Sequence, residues 1–129
     1  MILVDTSIWI EHLRKGHPRL QHLLVHGAVL GHPWVIGELA LGHLSQRREV
    51  LGLLSSLPEA TVVTPDEVLR FIEHHHLMGL GIGFVDVALL AATQITPDAS
   101  LWTGDTRLAA AASRLELVVD PAALVDEQP

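Results

Sequence analysis

Short apolar runs separated by helical patterns constrain this chain more than any other feature. Residues 2–4, 28–30, 61–63, 101–103 and 117–119 read as short strands, and helix-like periodicity fills the stretches between them. Strands this short and apolar, alternating with helices, imply a parallel sheet covered on both faces. The fold class is therefore α/β.

The helical segments follow from spacing and punctuation. Residues 7–13 form the first, and Leu20, Leu23 and Leu24 mark a second by their i, i+3, i+4 pattern. Pro33 suits the first turn of a third, whose apolar side is Val35, Ile36, Leu39, Ala40 and Leu44. A fourth pattern over residues 50–57 ends near Pro58. Thr64-Pro65-Asp66-Glu67 is a capping-box signature, so Glu67 has a structural role at the start of a helix reaching about Met78. Residues 84–95 are apolar on nearly every side and predict a buried, central helix. A last helix covers residues 106–114.

At 129 residues, with no internal repeat, low-complexity tract or linker-like stretch, the sequence predicts one domain over residues 1–129. Asp86 interrupts the longest apolar stretch, which falls short of the roughly 18 residues of a membrane span. Neither a basic amphipathic membrane helix nor a signal segment is seen, Asp5 standing where a signal's apolar part would run. The absence of cysteine excludes disulfides, thiolate zinc sites and a cysteine nucleophile, and agrees with a cytoplasmic setting. A net charge of −7, with eight Lys and Arg in all, argues against a general nucleic-acid-binding surface. Any nucleic acid must be gripped locally, through a metal or a partner.

Four carboxylates stand out against this background. In an open parallel sheet, ligands bind at the carboxyl ends of the strands. Asp5 follows the first strand there, and Asp105 follows "LWTG". Asp86 is the only charge in "FVDVALLAA", and Glu38 has no other acid within ten residues on either side. Each has a plain structural reading. Asp5 and Asp105 precede helices and suit an N-cap, worth about 1 kcal/mol. Asp86 sits in a first turn, where the helix dipole favours a negative charge by about 0.3–1 kcal/mol. That gain is smaller than the several kcal/mol of burying an unpaired carboxylate. Glu38, in mid-helix, has only a polar helix edge to explain it. One shared pocket is the more economical account. Carboxylates brought together repel unless a cation compensates. All-oxygen donors suit Mg²⁺ or Mn²⁺, which can activate water and polarise a phosphoryl oxygen. Such an ion would reverse the local sign and admit a phosphodiester to an acidic protein.

Taken in order, "VDTSIWI", "GEL", "GIGFVDVALLAA" and "LWTGDTRLAAAA" cover essentially the whole chain. Together they resemble the PIN-domain ribonucleases, specifically the VapC-type toxins of VapBC toxin–antitoxin systems. The resemblance implies a three-layer α/β/α fold with a parallel sheet of about five strands. It also implies a metal-dependent endoribonuclease whose four acidic positions match Asp5, Glu38, Asp86 and Asp105. On this basis Asp5 and Asp86 are the principal ligands of Mg²⁺ or Mn²⁺. Asp105 is a direct or water-mediated ligand, and Glu38 positions or deprotonates the attacking water. Ser7 and Thr103 orient ligands or water from behind, or else cap helices locally. Many relatives carry a further acid where this chain has Arg107, a residue open to either a phosphate contact or plain solvation. The family further implies an RNA substrate, a homodimer, and a VapB-type antitoxin that occludes the pocket. That antitoxin would supply the DNA binding this chain lacks.

Other features carry less. His22 and His26 are spaced i, i+4 and His74-His75-His76 form a run, but neither has the glutamate of a zinc-protease helix. Both read as solvated or helix-end histidines. The glycines of "GLGIG" follow a helix, not a strand, and so lack the setting of a dinucleotide fingerprint. Two functional alternatives stand beside the ribonuclease. A phosphoryl-transfer domain of receiver or aspartyl-phosphatase type also keeps Asp after its first strand, but "DTS" lacks a second nearby aspartate and no lysine follows Lys15. A non-catalytic PIN-like binding module is the other, against which all four acids are retained.

Overall fold

The computed structural model describes residues 1–118. Its elements run in the order β1 (Ile2–Val4), α1 (Thr6–Lys15), α2 (Pro18–Val25), β2 (Val29–Leu30), α3 (Pro33–Ala40), α4 (Arg47–Ser56), α5 (Pro65–His75), α6 (Phe84–Ile95), β3 (Ser100–Trp102) and α7 (Thr106–Arg114). The strands form a parallel sheet in the order β2-β1-β3, with Ile2 opposite both Val29 and Ser100. The chain leaves β1 toward β2 on one side and comes back to pair β3 on the other. The carboxyl end of β1 is thus the switch point at which an open parallel sheet leaves a crevice.

Parallel strands this short are stable only when both faces are covered, and every residue of β1 and β2 is buried. Helix α6 matches its predicted span, and Val87 to Thr93 are buried without a break. It packs on β3, α5 and α7, while α1, α3 and α4 form a second series of contacts. Leu3, Leu89, Leu90, Leu101 and Leu108 are fully enclosed at the centre.

The expected sheet of about five strands is corrected: among the described residues it has three. Each outer edge has a single parallel bridge instead: Gly31 with Glu59, just ahead of the predicted 61–63 strand, and Leu101 with Val118, inside the predicted 117–119 strand. Residues 61–63 do not pair. The Thr61 N–H donates to the Thr96 side chain at 2.9 Å instead of to a neighbouring strand. Just beyond, Thr64 is committed to the helix start: its hydroxyl accepts from the Glu67 N–H while the Glu67 carboxylate accepts from the Thr64 N–H. Pairing therefore retreats to Glu59, framed by Gly31 N–H to Pro58 O and Ala60 N–H to Gly31 O. Of the predicted 117–119 strand, Val119 lies outside the described residues.

Helix α3 stops at Ala40, leaving Leu44 off its apolar side. Arg47 folds back and donates to the Ala40 and Gly42 carbonyls, satisfying acceptors that a continuing helix would have used. Glu67 has the structural role predicted for it, and its carboxyl is held below the usual range by its Thr64 hydrogen bonds. No helix among the described residues is long and apolar enough to cross a membrane.

Candidate active site

The site begins with the turn from β1 into α1. Asp5 is only 4% exposed, and both oxygens of its carboxylate accept hydrogen bonds. Oδ1 accepts from the Thr6 N–H at 2.7 Å, the N-cap bond of α1. Oδ2 accepts from the Ser7 hydroxyl at 3.0 Å and the Thr103 hydroxyl at 2.7 Å. The Asp5 N–H donates to Trp102 O, so the ends of β1 and β3 are tied together at this carboxylate. Ser7 is in turn held from β3's side, where the Gly104 N–H donates to its oxygen at 3.1 Å. Three donors steady the charge of Asp5, and among the described residues no cationic side chain pairs with it.

Asp105 caps α7 in a different way. Its Oδ1 accepts from both the Arg107 and Leu108 N–H groups, and its own N–H donates to the Thr103 hydroxyl oxygen. Thr103 thus joins the two aspartates, donating to one and accepting from the backbone of the other. Glu38 comes from the exposed side of α3, and its Oε1 accepts from the Thr6 hydroxyl at 2.6 Å. Asp86 lies in the first turn of α6. An added Cβ on Gly83 would stand 3.6 Å from Asp86 Oδ2, so the carboxyl group rests against the glycine that opens its own helix.

Electrostatics joins the four. Burial is the main cause that pushes the Asp86 carboxyl up from its ordinary value, followed by the negative charge of Asp5. A backbone hydrogen bond at Gly83 pulls the other way, and the charges of Asp105 and Glu38 push it up further. The other three predicted acids therefore stand within electrostatic reach of Asp86. Helix capping accounts for part of Asp5 and Asp105, as the sequence allowed, but for none of Glu38.

The donor set fits a hard divalent cation. It is all oxygen, it is a buried carboxylate among repelling neighbours, and the lone ion pair among the described residues is Lys15–Glu11, away from these acids. No three His, Asp or Glu side chains among the described residues form a ready-made metal cage. Mg²⁺ does not require one, because it keeps several waters and uses one or two carboxylates together with substrate phosphate. A groove of about 660 Å³ opens beside Glu38, with Arg14 and His43 on its wall.

Sequence reasoning missed two participants. Thr6 fixes Glu38, and Gly104 holds Ser7 through its backbone. The signal for Thr6 was its place between Asp5 and Ser7 in "DTS"; Gly104 offered none, since any residue but proline has the N–H it uses. The histidines behave as helix-end groups. His74 and His75 occupy the last turn of α5 with His76 as its C-cap, and His26 Nδ1 lies 2.8 Å from His22 O at the end of α2.

Comparison with known proteins extends this picture. The chain is 52% identical over 111 residues to ribonuclease VapC32 of Mycobacterium tuberculosis, in both strain CDC 1551 / Oshkosh and strain H37Rv. The matched region covers 86% of this chain and 90% of the relative. No protein-family model and no solved structure matches. Identity at that level over nearly all of both chains leaves no room for the receiver or phosphatase alternative, and the chain belongs to the VapC family of PIN-domain ribonuclease toxins.

Proposed function

We propose that this chain is the toxin of a VapBC-type pair, an endoribonuclease that hydrolyses RNA with Mg²⁺ or Mn²⁺ held chiefly by Asp5 and Asp86, Asp105 binding directly or through a water. The observation that carries the reading is the Asp5 carboxylate: buried, met by three donors and, among the described residues, no cationic side chain, and close enough to Asp86 to raise its proton affinity. A divalent cation bound there would neutralise charge on the phosphoryl oxygens and acidify a water. The chain's own residues do the rest. Glu38 orients that water and accepts its proton, with the Thr6 hydroxyl fixing one carboxylate oxygen and leaving the other free. The water oxygen bonds to phosphorus, the ester P–O bond breaks, and the departing oxygen takes a proton from solvent. Ser7 and Thr103 hold Asp5 in one orientation throughout.

The antitoxin reading has a surface to rest on. An apolar cleft of about 340 Å³ is lined by Trp9, Leu13, Leu24, Leu53 and Leu57. It shares His12, Leu13 and Val50 with the groove beside Glu38. One bound segment can therefore fill the cleft and reach Glu38. The expected homodimer would bury apolar side chains that stand exposed on and after α5: Leu69, Met78, Leu80 and Phe84. A cytoplasmic setting suits a toxin that meets cellular RNA.

The deciding experiment gives purified protein, freed of antitoxin, a panel of RNAs with Mg²⁺ or Mn²⁺. A chelator control and the Asp5→Asn variant run beside it. Cleavage that survives both would sink the mechanism. No cleavage of any RNA, with no Mg²⁺ or Mn²⁺ binding, would favour the binding-module reading.

A further inference from the structure

Arg107 follows Asp105 closely in the chain and lays its side chain over the loop that leads to Asp86. It lies in the first turn of α7, two residues after Asp105, whose carboxylate accepts from its N–H at 2.8 Å. Its side chain crosses to the glycine loop ahead of α6. A Cβ built on Gly81 would fall 2.5 Å from Arg107 Nη1 and 3.2 Å from both Cδ and Cζ. Gly81 has φ +75°, which favours glycine, and the missing side chain is what lets the guanidinium lie on the backbone. Gly83, against which Asp86 Oδ2 rests, is two residues further on, at most about 7 Å of chain. The guanidinium is thus anchored over the same short loop as the Asp86 carboxyl.

Its electrostatic state is that of the other arginines among the described residues, none of which has an ion pair. In a chain of net charge −7, Arg107 is exposed and has no carboxylate within ion-pair distance among the described residues. It stands near the acids without neutralising any of them. A guanidinium presents a planar fork of donors matched to phosphate oxygens, and here that fork lies against the Gly81 backbone.

We propose that Arg107 is a substrate-positioning residue: its guanidinium, held on Gly81, grips an RNA backbone phosphate next to the one that is cut. The inference rests on the ribonuclease reading. It explains how an acidic chain retains a polyanion at a carboxylate cluster, since the metal meets one phosphate and Arg107 the neighbouring one. Phosphate contacts of this kind fix register and carry no base preference.

The test is steady-state cleavage of a short single-stranded RNA, together with the salt dependence of binding measured in the inactive Asp86→Asn background. Arg107→Ala should raise KM about tenfold, the loss of a charge-assisted hydrogen bond, with kcat within about twofold. The slope of log affinity against log salt should fall by about 0.7, one phosphate contact on a single strand. Arg107→Lys should keep the salt slope while recovering only part of the KM. Gly81→Ala, which pushes the guanidinium off its seat, should move KM in the same direction with Arg107 intact. Unchanged KM and salt slope in Arg107→Ala would overturn the inference, as would a fall confined to kcat. If the wild-type chain neither binds nor cleaves RNA, the ribonuclease reading itself fails, an outcome the parent protein alone reveals.

Discussion

Two strand-to-helix turns in this protein look alike in sequence and differ in what they do. "VDTS" leads from β1 into α1 and "TGDT" from β3 into α7, and each places an aspartate at the N-cap. At the first turn the cap bond takes one oxygen and two hydroxyls, from Ser7 and Thr103, take the other. At the second, a single oxygen accepts both backbone N–H groups, and Oδ2 has no donor among the described residues. Asp5 is buried and Asp105 exposed. An N-cap role is thus compatible with two kinds of carboxylate. One is fastened from three sides; the other keeps an oxygen for water or a metal.

The largest effect should come from removing the charge at the fastened carboxylate. Asp5→Asn should reduce RNA cleavage well beyond the about 100-fold typical of losing an outer-shell partner, measured as kcat/KM under saturating Mn²⁺. Asp105→Asn keeps a competent cap, so its melting temperature should stay close to wild type while activity falls less than in Asp5→Asn. A larger loss at Asp105 would invert the comparison and make the exposed aspartate the principal ligand.

Thr103→Val comes next, because this hydroxyl joins the two turns. Activity or metal affinity should drop about 10–100-fold, with destabilisation of about 1.5–3 kcal/mol from the loss of one of the two hydroxyl bonds to the charged Asp5 oxygen. Titration of Mn²⁺ and thermal unfolding read the two separately. Ser7→Ala should cost less, since its bond to Asp5 is the longer one, 3.0 Å against 2.7 Å, and only Thr103 also holds the Asp105 N–H.

The smallest effect concerns stability and pH. Burial and the charge of Asp5 raise the Asp86 carboxyl above its ordinary value, so the folded chain binds that proton more tightly than the unfolded one. Between the ordinary value and the raised one, the native state carries more protons, and stability falls as pH rises through that window. At neutral pH the whole penalty is present. Metal-free Asp86→Asn should therefore melt slightly higher than wild type at pH 7, and the difference should vanish below the ordinary carboxylate range. A divalent cation should raise the melting temperature of the wild type and not of the variant. Higher stability of the wild type at neutral pH without metal would contradict the shared pocket.

The two turns also mark how far sequence reading reached. Both aspartates were legible as caps and as strand-end groups, because N-cap preference and the strand-end rule are local. Glu38 and Asp86 were legible through their improbable company, a charge in an otherwise apolar run. The Thr6–Glu38 bond was not, since it joins residues 32 positions apart and depends on how α1 packs on α3. The unpaired residues 61–63 were misread because an apolar triplet looks like a strand until its N–H finds a side chain.

What the sequence determined by itself is the class of fold and the inventory of acids: short apolar strands need cover on both faces, and isolated carboxylates in apolar runs need a reason. Only the tertiary structure decided which oxygen of each acid is occupied, that Thr103 links both turns, and that Arg107 rests on Gly81. Those facts depend on the meeting of the β1, β3 and α6 ends, and no local pattern encodes a distance between segments a hundred residues apart (roughly, Asp5 to Asp105). The physical reason is that capping and periodicity act within a turn or two of chain, whereas a charge cluster exists only once packing has brought its members together.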